Sequence, residues 1–171
     1  LNLNPGYLLE LSRKTRATVN LGSLKRGEIL IISKIEGAYD STHISVRPGE
    51  YEAIHATGMG KVMISEMDEE EIWGLFGGRE TLIPYTPNTI TSLPQLMREE
   101  ARVRESGYAV DAEEYCIGLY CIAMPIRDYT GQIVAAVSVS TPSLRPFALA
   151  VSEVIDLISL PSAVVYFTLL E

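Results

Sequence analysis

Ser138 and Ser140 stand two residues apart in an apolar run, 133–139, and Cys121 lies in the apolar run before it, 119–126. The two runs are joined by Asp128-Tyr129-Thr130-Gly131, whose Asp and Gly are turn residues, so the pair reads as a β-hairpin. If those four residues form the loop, Arg127 faces Gln132 and, counting back by pairs, Cys121 faces Ser138. Side chains alternate between the faces of a strand, so Ser138, Ser140 and Ala136 share one face, with Cys121 as a cross-strand neighbour. Ile122, Met124, Val137 and Val139 fill the other face with core material. One face is bulky and apolar. The other is small and lightly polar, which leaves room for a ligand. The bland alternative is that the serines point to water. Ala136 and Cys121 argue against it, because cysteine is among the most buried residue types.

Three further groups have types that could act. Gly58-Met59-Gly60-Lys61 opens a helix with little side-chain bulk. It is not a phosphate loop: the first glycine of that motif would fall at His55, and Val62 stands where Ser or Thr is needed. Two readings remain open: free N–H groups at the helix start that favour an anion, or glycines that let the helix pack close to a sheet. Asp111 follows the strand-like stretch 108–110 and is either a solvated loop acid or an acceptor for a ligand hydroxyl. A nucleophilic Cys121 assisted by His55 and Asp111 is the enzymatic alternative, but no local signature supports it and a buried strand cysteine is usually inert. The chain has two His and two Cys, and no pair has a structural-zinc spacing. No metal or cofactor is expected.

The elements that must position these groups follow from pattern. Residues 4–15 place Tyr7, Leu8 and Leu11 at helical spacing. Alternating runs at 18–24, 28–35 and 42–46 read as strands, with a turn at Lys25-Arg26-Gly27-Glu28. Helices are expected at 55–65 and 68–76, the latter closed by Gly77-Gly78. A third runs from a Ser92 cap to Gly107, with Gln95 completing a capping box and Glu100 pairing with Arg104. A loop occupies 85–91, and a last helix is expected at 145–159, broken by Pro161. Strands and helices segregate rather than alternate, which suggests an α+β fold with a central antiparallel sheet covered by helices.

Composition narrows the function. An apolar share of 47% in 171 residues supports a sizeable core in about one domain. The net charge of −8 argues against a nucleic-acid-binding surface on these residues. No apolar run reaches the ~18 residues of a membrane span, and the first ten residues lack a signal-peptide pattern. Cys116 and Cys121 do not make a disulfide framework, so a reducing cytoplasm is the simplest setting. The absence of an initial Met suggests a fragment of something longer.

Three segments in order, HATGMGK (55–61), YTPNTIT (85–91) and GYAVDAEEYCIGLYCIAMPI with GQIVAAVSVS (within 107–140), resemble the effector-binding domain of IclR-family transcriptional regulators. The resemblance covers roughly residues 4–145, and the whole chain, 1–171, is expected to be that one domain. It implies a GAF-like fold and a winged helix-turn-helix DNA-binding domain N-terminal to these residues. It implies assembly as dimers and tetramers, and a small carboxylate as effector. Mapped residue by residue, the family's ligand contacts fall on Gly58, Met59, Asp111, Leu119, Cys121, Ser138 and Ser140. Met59 is bulkier than the small residue many members carry there, which narrows the expected pocket.

Overall fold

Arg26 and Gly27 both take positive φ, 55° and 81°, and close a two-residue hairpin between Lys25 and Glu28. Such mirror-image turns match the right-handed twist of the strands they join. In the computed structural model, which describes residues 5–38 and 46–142, that hairpin is part of a six-stranded antiparallel sheet. The elements are α1 (Pro5–Thr15), β1 (Thr18–Lys25), β2 (Glu28–Ile35), β3 (Tyr51–Glu52), α2 (Gly58–Ile64), α3 (Glu69–Leu75), α4 (Leu93–Ser106), β4 (Ala109–Ala112), β5 (Leu119–Arg127) and β6 (Ile133–Pro142). The strand order is β3-β2-β1-β6-β5-β4. The expected α+β class and central antiparallel sheet are present. The strand expected at 42–46 lies almost wholly outside the described residues, as do the helix at 145–159 and the tail after it.

Each face of the sheet has its own core. On one, Leu8 and Leu11 of α1 pack with Val19, Leu21, Ile122, Ile126, Val137 and Val139. On the other, Met59, Val62 and Met63 of α2 and Leu93, Leu96 and Val103 of α4 pack against Ile29, Ile31, Ala109, Ala123 and Ala136. The small residues on this second face let α2 come close. A Cβ on Gly58 would sit 3.2 Å from that of Ala123, and one on Gly60 would sit 2.0 Å from the carbonyl oxygen of Ile54. Close packing therefore accounts for both glycines.

Several local expectations need correction. The hairpin pairs Cys121 with Ser140 and Ala123 with Ser138, not Cys121 with Ser138. Two causes add. The loop holds five residues, since Arg127 faces Ile133 rather than Gln132, and a bulge between Ile126 and Arg127 shifts the register once more. Each step flips the faces; together they restore them, because the pleat repeats every two residues. α2 starts at Gly58, capped by Thr57, rather than at His55. Ser92 makes no side-chain cap, being held in a bridge to Thr81, and α4 carries Pro94 in its first turn, where no N–H partner is needed. The capping box is at α3 instead, where Glu71 N–H donates to Asp68 and Asp68 N–H to Glu71, both at 2.8 Å. Arg104 does not pair with Glu100; its guanidinium donates to the carbonyls of Ser65 and Met67, at 2.7 and 3.2 Å.

Candidate functional site

Cross-strand register assembles the site. One row across the sheet reads Thr18, Ser140, Cys121, Asp111; the next reads Lys34, Asn20, Ser138, Ala123, Ala109. Both rows face α2, whose first residues lie over Ala109 and Ala123. The small side chains of the second row make the space, and the polar ones of both rows line it. The resulting cavity leaves about 40 Å³ for the centres of water-sized molecules, and one enclosed water needs only ~10–15 Å³. Gly58, Met59, Asp111, Leu119, Cys121, Ser138 and Ser140 all line it. The structure thus brings together the seven residues singled out in the sequence.

The cavity has two chemically distinct sides. Gly58 and Met59 open α2, so their N–H groups have no partner within the helix. Ser140 Oγ lies 3.2 Å from Cys121 Sγ and accepts from Asn20 Nδ2 at 3.5 Å. Beyond Cys121 in the same row is Asp111, which lies within β4 rather than in a solvated loop, and is buried. Its Oδ1 accepts the N–H of Glu114 at 2.7 Å and of Tyr115 at 3.3 Å. Burial nonetheless pushes its carboxyl up to about 7, the backbone donors only partly offsetting it. Burial also pushes the Cys121 thiol well above its ordinary value, helped by the nearby Asp111 carboxyl. A thiol held protonated is a poor nucleophile.

His55 does not join this group. Its Nε2 donates to the carbonyl of Ile83 at 2.8 Å, and its ring meets Phe76 edge-on at 6.0 Å. Burial lowers its basicity. The arrangement needed for a His55-assisted Cys121 is therefore absent among the described residues. Lys61 is fully buried and anchors the loop behind Asp111: its Nζ donates to Val110 O and, at 2.7 Å, to Glu114 Oε1. The 85–91 loop is clamped to the same place. Thr89 Oγ1 donates to Glu114 O at 2.6 Å and Thr86 Oγ1 to Glu113 O at 2.7 Å. These two motifs support the site from behind.

Eight lining residues escaped the sequence reading, among them, in chain order, Thr18, Asn20, Lys34 and Glu52. The first three become legible once β1 is registered against β6. Glu52 has no such signal, because it comes from a two-residue strand at the far edge of the sheet. Burial and the neighbouring Asp111 push its carboxyl up to about 7.

Comparison with known proteins identifies the class. The family model described as the bacterial transcriptional regulator IclR C-terminal matches residues 3–159. The chain belongs to the IclR family and corresponds to its effector-binding domain, with that domain's GAF-like α+β fold. It is 40% identical over 140 residues to the HTH-type transcriptional regulator XynR of Escherichia coli, covering 82% of this chain and 55% of the relative. The crystal structure of the C-terminal domain of E. coli KdgR superposes with a TM-score of 0.80 at 33% identity, covering 92% of this chain and 89% of that one. The inducer-binding domain of PobR from Acinetobacter, solved as a double mutant with 3-hydroxybenzoic acid, gives a TM-score of 0.79 at 25% identity, covering 92% and 91%. The chain spans about half the length of the curated relatives it matches. No helix among the described residues is long and apolar enough to cross a membrane.

Proposed function

We propose that this chain is the sensing part of a cytoplasmic transcriptional regulator, that a small carboxylate is its effector, and that it binds in the cavity beneath the start of α2. The observation that carries the reading is the convergence of free helix-start N–H groups and the Ser138 and Ser140 hydroxyls on one cavity. Hydrogen bonds to a charged group contribute about 1.5–3 kcal/mol each, enough for four such donors to hold an acid of a few carbons. The PobR domain, with a hydroxybenzoic acid bound, supports the same class of ligand here.

DNA contact is assigned to a helix-turn-helix segment N-terminal to this chain in the whole protein, in keeping with the relatives' description as HTH-type regulators and with the net charge of −8. Residues 1–171 form one effector-binding domain that self-associates as a dimer or tetramer, so that two DNA-binding segments meet two half-sites. The domain returns its ligand unchanged. A buried Cys121 with a raised thiol, and a His55 engaged by the carbonyl of Ile83 instead, support sensing over catalysis.

A thermal-shift screen against small carboxylates tests the reading. An acid present at a hundred times its Kd stabilises the fold by about 2.7 kcal/mol. An acid that raises Tm saturably and is recovered unaltered supports it. Turnover of the acid, or no shift across the panel, overturns it.

A further inference from the structure

Glu52 and Asp111 come from opposite edges of the sheet, β3 and β4, yet line the same cavity. Glu52 is only 7% exposed, and among the described residues no hydrogen bond or ion pair engages its carboxyl. Burying a carboxyl without a partner is costly unless something else satisfies it. It is not the only acceptor in want of a donor. Both backbone bonds to Asp111 go to its Oδ1, leaving Oδ2. The two carboxyls therefore offer acceptors to the cavity, while the Ser138 and Ser140 hydroxyls offer donors and Lys34 lines it as well.

A plain acid answers only half of this. Its carboxylate satisfies the donors, but an alkyl tail laid against Glu52 and Asp111 would desolvate two carboxyls and give them nothing. A second carboxylate there would be repelled. Donor groups at the far end of the acid relieve both problems.

We propose that Glu52 contacts the effector and, with Asp111, restricts it to acids that carry at least two hydroxyl donors away from the carboxylate. This rests on the carboxylate-sensor reading above. It assigns to Glu52, which comes from a two-residue edge strand, the choice among acids that Ser138 and Ser140 bind without discrimination. The site built to bond a hydroxyl rejects the analogue lacking it far more strongly than a greasy pocket rejects an extra methylene.

Calorimetric titration of the full chain with propanoate, lactate and glycerate tests this, since the three share a three-carbon acid and differ in having no, one or two hydroxyls. The parent should bind glycerate about tenfold or more tighter than propanoate. Glu52→Leu should bring that ratio to about one, and Glu52→Gln should at least reduce it, which keeps the test open if the Leu variant folds poorly. Ser138→Ala should weaken all three acids and leave the ratio intact. A ratio unchanged in both Glu52 variants overturns this inference while leaving the sensor reading in place. Preference for 3-aminopropanoate over glycerate overturns the hydroxyl assignment. Equal affinity of the parent for propanoate and glycerate also overturns this inference while leaving the sensor reading in place, whereas no saturable binding of these acids or of any acid in the thermal-shift screen overturns both.

Discussion

Glu100 of α4 should make this fold less stable as pH rises. The side chain is 1% exposed, and neither carboxyl oxygen has a hydrogen-bond partner. Burial pushes the pKa of its carboxyl up to about 9 from an ordinary 4.5, against a smaller opposing pull from the Lys61 ammonium. In the unfolded chain the group ionises near its ordinary value; in the folded chain it holds its proton to about pH 9. Its contribution is therefore intact below about pH 4.5 and is lost progressively as pH climbs to about 9. The slope is ~1.4 kcal/mol per pH unit, amounting to roughly 3 kcal/mol by pH 7. Asp111 and Glu52, both raised to about 7, add to the slope only below that pH, so Glu100 dominates above 7, joined toward pH 9 by the Cys121 thiol that burial also raises. Urea unfolding followed by circular dichroism at pH 7, 8 and 9 measures it. Glu100→Gln should flatten the fall seen in the parent, and Glu100→Met should flatten it and raise Tm at pH 8, at roughly 2–4 °C per kcal/mol for a chain of this size. Equal slopes in parent and Gln variant between pH 7 and 9 would refute the reasoning.

Gly60→Ala should prevent or severely impair folding, since its Cβ would lie 2.0 Å from a backbone oxygen, whereas Gly58→Ala, 3.2 Å from the Ala123 Cβ, should be milder; soluble yield and melting temperature distinguish them. Thr89→Val should cost about 1–3 kcal/mol in chemical unfolding, because Glu114 O and the N–H groups of Tyr85 and Thr86 lose the hydroxyl they share. Asp111→Asn should shift the preference between hydroxylated and plain acids in competition titrations, and an unchanged order of preference would count against Asp111 as a ligand contact. Residues 1–171 alone should give no sequence-specific shift of duplex DNA at physiological salt; a nanomolar one would remove the need for a separate DNA-binding segment.

The hairpin shows how far a sequence can be read here. Alternation put Cys121, Ser138 and Ser140 on one face, and they are on one face, although neither the loop length nor the bulge was readable and the pairing was off by two. A single error instead of two would have turned the serines into the core. The start of α2 was legible from its glycines, but His55 was drawn into the helix because nothing local marks Thr57 as the cap until its hydroxyl is seen accepting from Gly60 N–H at 3.2 Å. Glu100 looked like half of an exposed helical pair at i,i+4. Its burial depends on α4 facing α2, which spacing along one helix does not reveal. Glu52 is the hardest case: two residues of edge strand carry no periodicity, and only the folded sheet brings Glu52 to the cavity that Asp111 also lines.

Titration of the best-binding acid from the carboxylate screen against the parent, Ser138→Ala and Ser140→Ala tests the central claim most directly. The account predicts that each variant folds normally, since alanine suits the small-residue face, and loses about ten- to a hundredfold in affinity, as each lost bond to a charged group implies. Two well-folded variants that bind the acid as tightly as the parent would contradict it.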